Sequence, residues 1–208
     1  DRWILGEFSK LETEVIAAYE KYEFHVVYQK VSQFIAVELS SIYHDVIKDR
    51  LYTDAANSQR RRSTQTALHR LVTGLCTEWR TVGFTGKDYE RESWKSLFVL
   101  RALALPELEK ARQAKQIGKS LEAKLTLNGT GPLLLDAKVN LDSLRELLNV
   151  SQVQLAEEGG TTVFATVSKA DGQKCERCWH WETDVGSKPE HPTLCGRCTR
   201  AVLEFQAH

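Results

Sequence analysis

Four of the five cysteines fall in one stretch, Lys174 to Arg200, "KCERCWHWETDVGSKPEHPTLCGRCTR", as the pairs Cys175/Cys178 and Cys195/Cys198 with sixteen residues between Cys178 and Cys195. A Cys-x-x-Cys turn aims two sulfurs at one point, and two such turns complete the tetrahedron that Zn2+ prefers. The alternatives are a disulfide or a redox dithiol, and both suit an oxidising or catalytic setting better than a paired knuckle in a reducing one. Four sulfurs leave no open coordination position, so the expected zinc is structural and not catalytic. His180 and His191 are then outer groups. Gly196, inside the second pair, suits a sharp turn. Cys76 lies in an apolar helical pattern and is expected to be a buried structural cysteine.

Composition limits the partners. The 28 Lys and Arg residues balance 28 Asp and Glu residues, so no global positive field draws in nucleic acid, and any such contact must be local. With 42% apolar residues over 208 positions, one good core and a small second module can be buried. No apolar run is long enough for a bilayer, and "DRWILGEFSK" lacks a secretory signal pattern, which makes the cytoplasm the expected compartment and a membrane partner unexpected. The chain begins at Asp1 and holds no methionine, as expected for a piece of a longer protein.

These cysteines need a scaffold, and periodicity supplies its outline. Apolar residues at spacings of three and four predict helices over residues 1–22 and 24–47, with "KDRLYTDAANSQ" as a polar loop. Ser58 is placed to cap a third helix carrying Ala67, Leu68, Leu71, Val72 and Leu75. Residues 77–93 lose the pattern and read as a loop. A fourth helix is expected from about Trp94 to Gln116, kinked or interrupted at Pro106, with Gly118 as its stop. Alternation of period two then marks strands in "EAKLTL", "SQVQLA" and "TTVFATVS", and "NLDSLRELLNV" reads as a short amphipathic helix between the first two. The expected fold is mainly α: an antiparallel helical bundle (1–117), a small mixed α/β connecting module (118–169) and a C-terminal four-cysteine zinc knuckle (170–208).

The segments "YEFHVVYQKVSQFIAVELSSIYHDVIKDRLY" and "DRLYTDAANSQRRRSTQTAL" resemble the anticodon-binding helical domain of the isoleucyl-tRNA synthetases. "LEKARQAKQIGKSLEAKLTL" continues the likeness, and "KCERCW…LCGRC" resembles the C-terminal zinc module of the bacterial members. The resemblance implies a part that binds isoleucine tRNA at its anticodon stem-loop. It also implies partner domains for catalysis and editing, with ATP and isoleucine handled there and no catalytic residue here. The chain departs from the family in two ways. An apolar, proline-containing stretch and a further helix are missing after Cys76, and the His-Ile-Gly-His and Lys-Met-Ser-Lys-Ser motifs of the catalytic half are absent.

RNA recognition uses cations on phosphates and planar side chains on unstacked bases. Around the knuckle, Trp179 and Trp181 offer faces and Lys174, Arg177, Arg197 and Arg200 offer charge; Trp179 is equally suited to pack over the knuckle as its miniature core. Residues 170–208 carry five basic and six acidic side chains, so the contacts must be oriented patches. In the bundle the candidates are Lys48, Arg50, Arg60, Arg61 and Arg62. Lys110, Arg112, Lys115, Lys119 and Lys124 read as a solvated face. Two other functions fit the cysteine spacing: a duplex-DNA-gripping finger of the formamidopyrimidine-DNA glycosylase type, and a zinc-stapled interaction module.

Overall fold

The computed structural model describes residues 1–76, 88–157 and 160–206, which fall into two compact units, Asp1–Arg91 and Glu92–His208.

In the first unit, α1 (Arg2–Glu20) turns through Tyr22 into one helical run made of α2 (Phe24–Phe34), a π-helical stretch (Ile35–Tyr43) and α3 (His44–Thr53). The wider π turn moves the buried face from Phe34 to Leu39, five residues on, and then to Tyr43 and Ile47. Ile35, counted among the apolar positions, is left 40% exposed as a result. The run continues six residues past the expected end at Ile47, so only Asp54–Ser58 remains as loop. Asp54 breaks the helix with extended backbone.

The Ser58 hydroxyl accepts the Arg61 backbone N–H at 3.1 Å and caps α4 (Gln59–Cys76), as expected. Ile4, Phe8, Leu11, Val15, Phe34, Leu39, Tyr43, Ile47, Ala67 and Leu71 form the core. Each large aliphatic among them contributes about 1.5–3 kcal/mol by burial. Helix α4 approaches α1 closely at Gly74, where a Cβ would lie 2.6 Å from the Phe8 ring. Val72 is exposed, and so is Cys76, contrary to the expected buried cysteine, because both fall off the Ala67–Leu71 stripe.

Asp1 ties the helices together. Its carboxylate accepts from the Tyr43 hydroxyl at 2.7 Å, Arg50 Nη1 at 3.2 Å, Ser63 Oγ at 2.7 Å and Thr64 Oγ1 at 3.1 Å.

Residues 77–87 of the expected loop lie outside the described residues, and the remainder is already helical: α5 runs Asp88–Gln113, straight through Pro106. Its stop is Lys115, at φ 56°, with the Gln116 N–H bonded to the Ala111 carbonyl at 3.0 Å, a left-handed cap three residues ahead of Gly118. In the second unit, Ser96 bonds Asp136 at 2.6 Å and Arg101 reaches the Leu147 carbonyl, holding α5 to the connecting module.

That module contains β1 (Ala123–Asn128), α6 (Pro132–Val139), α7 (Leu141–Leu148), β2 (Gln152–Ala156) and β3 (Phe164–Lys169). The central β1 pairs parallel with β2 and antiparallel with β3. Its alternating burial puts Ala123, Leu125 and Leu127 inside. Helix α6 is an addition to the expected elements. The run Leu133-Leu134-Leu135 masks its period, though Pro132 at its first turn is a start signal. A short ladder of β4 (Gln173–Lys174) and β5 (Trp181–Glu182) and the helix α8 (Gly196–Gln206) frame the cysteines.

Candidate metal centre

The first knuckle hangs from the β4–β5 ladder. Gly172, at φ 86°, lets that ladder close, since a Cβ there would sit 2.2 Å from the Glu182 carbonyl oxygen. Within the turn, the Cys175 N–H donates to the His180 carbonyl at 2.8 Å and the Trp179 N–H to the Cys175 carbonyl at 2.9 Å. The second knuckle leads into α8, so Cys195 precedes the helix and Cys198 lies in its first turn, where N-terminal dipoles favour thiolates. Gly196 is needed for proximity: its N–H bonds Asp184 Oδ2 at 3.0 Å, and a Cβ would lie 2.7 Å from the same oxygen.

All four cysteines are buried, and their sulfurs lie within 4.8 Å of one another. Cys178 Sγ and Cys195 Sγ are 3.8 Å apart, which is the edge of a tetrahedron with metal–sulfur bonds of about 2.3 Å. The Cys195 N–H points at Cys175 Sγ at 3.4 Å, and Val185 and Leu194 close the apolar shell. Sulfurs this close separate in their protonation. The S–H bond to Cys195 holds the Cys178 thiol above the ordinary range, and Cys195, accepting from Cys178 and Cys198, is held below it. A dication takes the place of those shared protons. The donor set therefore fits one structural zinc ion, held by Cys175, Cys178, Cys195 and Cys198.

Residues 1–77 match the family described as anticodon-binding domain of tRNA ligase, and residues 172–201 match the one described as zinc finger found in FPG and IleRS. The finger alone fits two kinds of protein. The anticodon-binding match and the curated relatives decide between them. An isoleucine–tRNA ligase of Carboxydothermus hydrogenoformans is 35% identical over 244 residues, covering 99% of this chain and 26% of the relative. Those of Cupriavidus necator and Burkholderia vietnamiensis are 37% and 38% identical, covering 100% and 98% of this chain and 25% of each relative. The chain belongs to the isoleucine–tRNA ligase family. It spans about a quarter of the length of these ligases. The alignment of 244 positions to a chain of 208 residues means that the Carboxydothermus ligase carries at least 36 residues that this member lacks.

The positions singled out from the sequence fare differently in this family member. Around the metal centre, Lys174 and Arg200 are exposed, and Arg177 and Arg197 are half-buried. Trp179 is 57% exposed with φ 66°, so the knuckle's small core is made by Val185 and Leu194 and not by this ring. Trp181 is half-buried, and its backbone N–H bonds Ser151 Oγ at 2.7 Å. In the first unit, Arg60 forks onto buried Asp54 with two bonds of 2.7 Å, and Arg61 donates to the Asp54 carbonyl at 3.1 Å. Arg50 is bound to Asp1, Lys48 pairs with Asp45 at 3.0 Å on the surface, and Arg62 is exposed. Sequence reasoning missed Arg145, which reaches both His180 Nδ1 at 3.2 Å and the Glu182 carboxylate and so fastens α7 to the knuckle. Among the described residues no helix is long and apolar enough to cross a membrane.

Proposed function

We propose that this chain is the tRNA-binding portion of a cytoplasmic isoleucine–tRNA ligase, engaging the anticodon stem-loop of isoleucine tRNA while catalytic and editing domains beyond this sequence handle ATP and isoleucine. The observation that carries the reading is the run of similarity over 97–100% of the chain, with an anticodon-binding match at one end and the zinc finger at the other. The side chains agree with it. Trp179 stands outside the knuckle's core, in a left-handed conformation that suits glycine and is costly for an aromatic residue, which is where a surface ring kept for stacking on a base is expected. Of the candidate cations, Arg62 on α4, Lys174 and Arg200 beside the cysteines, and Lys48, which pairs with Asp45, are turned to solvent.

Because the net charge is zero, binding rests on these placed groups and not on a diffuse field. The zinc holds the knuckle in shape and takes no part in a reaction. The test is competition between a tRNA and duplex DNA of similar length for the zinc-loaded chain. Preference for tRNA is expected; preference for the duplex would instead favour the glycosylase-type finger. The chain by itself should neither exchange pyrophosphate into ATP nor charge tRNA.

A further inference from the structure

The corner between α1 and α2 holds a cluster of exposed rings that neither the metal centre nor the candidate cations involve. Helix α1 ends at Glu20, and the Ala18 carbonyl accepts the backbone N–H groups of both Lys21 and Glu23, at 3.2 and 2.9 Å. That tight turn sets Tyr22 at φ 58°, a left-handed backbone unfavourable for an aromatic residue, and leaves its ring 80% exposed. It also brings Tyr19, on the last turn of α1, against Phe24 at the start of α2. Their rings meet edge to face with centroids 5.7 Å apart, and Tyr22 meets Phe24 in the same way at 6.3 Å. Tyr19, Phe24, Val27, Tyr28, Val31 and Ser32 line a cavity of about 450 Å3. Phe24, Tyr28 and Val31 share one face of α2, and the partly exposed Ile35 continues the row.

Rings grouped around a cavity with carboxylates at its edge suit a cation. At the knuckle, the tryptophans already have lysine ammoniums of this chain beside their faces: Lys119 at 6.0 Å and Lys174 at 5.8 Å from Trp179, and Lys169 at 4.7 Å from Trp181. Among the described residues no cation lies over Tyr19, Tyr22, Phe24 or Tyr28. Glu20 and Glu23, on either side of Tyr22, are exposed and make no ion pair among the described residues. Lys30 is paired with Glu14 at 2.8 Å, which leaves Lys21 against the two carboxylates. The C-terminus of α1 and the N-terminus of α2 meet here with opposing partial charges, so the side chains set the sign.

We propose that this corner is the docking site for a basic, partly apolar segment of a protein partner, with an arginine or lysine side chain lodged among the rings of Tyr19, Phe24 and Tyr28. The cation lies on the ring faces and pairs with Glu20 or Glu23, while apolar neighbours in the segment cover Val31 and Ile35. A nucleic-acid strand has bases for the rings, but its phosphates would face the same two carboxylates. The site is independent of the tRNA-binding reading and adds a protein partner to it.

The test is a titration of the zinc-loaded chain, isotopically labelled at its amides, with a blocked peptide of alternating arginine and leucine, followed by NMR. The amides of Tyr19, Phe24, Tyr28 and Val31 should shift. The same peptide with citrulline, the neutral isostere, in place of arginine should bind about twofold to fivefold more weakly, the worth of one cation on exposed rings. Tyr28→Leu and Glu23→Gln should each weaken the arginine peptide and leave the citrulline peptide nearly unchanged. Tyr28 is 75% exposed, so its replacement should not lower the melting temperature; if it does, Glu23→Gln, at another exposed position, carries the test. Absence of shifts at the corner, equal binding of the two peptides, or arginine-peptide binding indifferent to both substitutions would overturn the proposal. Larger shifts there from a single-stranded oligonucleotide than from the peptide would give the rings to RNA and overturn it as well. None of these outcomes decides whether the chain binds tRNA elsewhere.

Discussion

The Trp181 backbone N–H is bonded to the hydroxyl of Ser151 at 2.7 Å, and the same hydroxyl donates to the Leu121 carbonyl. Ser151 is fully buried, so one side chain satisfies a strand of the zinc knuckle and the entry to β1 at once. With Arg145 on His180 and Glu182, this bond makes the knuckle part of the second unit and not a bead on a tether.

Removal of the metal should therefore be felt in the connecting module. Cys178→Ser should release zinc and expose the amides of residues 172–201 and of β1 to exchange, while those of α1 and α4 keep their protection. Acidification should release zinc from the unsubstituted chain in the same way, since protons compete for the thiolates. Ser151→Ala strands a buried N–H and should cost about 1–3 kcal/mol with zinc retained. Hydrogen exchange read by mass spectrometry checks all three. Loss of protection in α1 on zinc release would show that the two units do not fold separately.

The arginines in sequence should separate by role. Arg60→Ala leaves the buried Asp54 carboxylate without its fork and should cost about 2–3 kcal/mol in urea unfolding, Arg60 itself being partly exposed. Arg62→Ala should leave stability within about 0.5 kcal/mol and lower the salt slope of tRNA binding by about one. Equal effects of the two changes on stability would contradict the placement.

Trp179→Gly should uncouple folding from binding. Glycine accepts φ 66° without strain, so the knuckle should hold zinc and melt no lower than the unsubstituted chain. Affinity for tRNA should fall by about 1–3 kcal/mol if the ring stacks on a base. Isothermal calorimetry with a zinc assay checks both halves, and loss of zinc would make Trp179 structural.

Tyr43 gives the first unit an alkaline limit. Burial raises its pKa from 10.0 to about 12, with Arg50 opposing. The native state thus holds the phenolic proton more tightly than the unfolded chain. Its contribution is complete below pH 10 and is lost as pH rises through 10 to about 12, a fall of about 2–3 kcal/mol. Urea unfolding at pH 8 and pH 11 should show about half of this loss, about 1.4 kcal/mol, since pH 11 lies midway between the two values, and Tyr43→Phe should show correspondingly less of it.

What the sequence made legible was whatever a local rule governs. Ser58 caps α4 because a hydroxyl there meets an orphan N–H, and the alternation in "EAKLTL" buries Leu125 and Leu127 because strand side chains alternate. The four cysteines were legible because spacing alone brings their sulfurs together. The features that escaped depend on partners far along the chain. Nothing near Asp1 announces that it will gather Tyr43, Arg50, Ser63 and Thr64, and nothing in "NSQRRRSTQ" says that Arg60 is spent on Asp54 while Arg62 is not. The π-helical stretch shifts a periodic pattern that a constant pitch would carry straight on, and Lys115 takes a left-handed cap that composition assigns to glycine. Lys119 resembles part of a solvated face because its nearness to Trp179 is long-range.

The claim that most needs a test is that this chain reads the anticodon of isoleucine tRNA. The most direct measurement is a titration of the zinc-loaded chain with isoleucine tRNA and with the same tRNA carrying another anticodon, at several salt concentrations. Binding to the altered tRNA should be weaker by about 1–3 kcal/mol for each recognised base replaced, with the same salt slope, because the phosphate contacts are unchanged. Equal affinity for both at every salt concentration would contradict it.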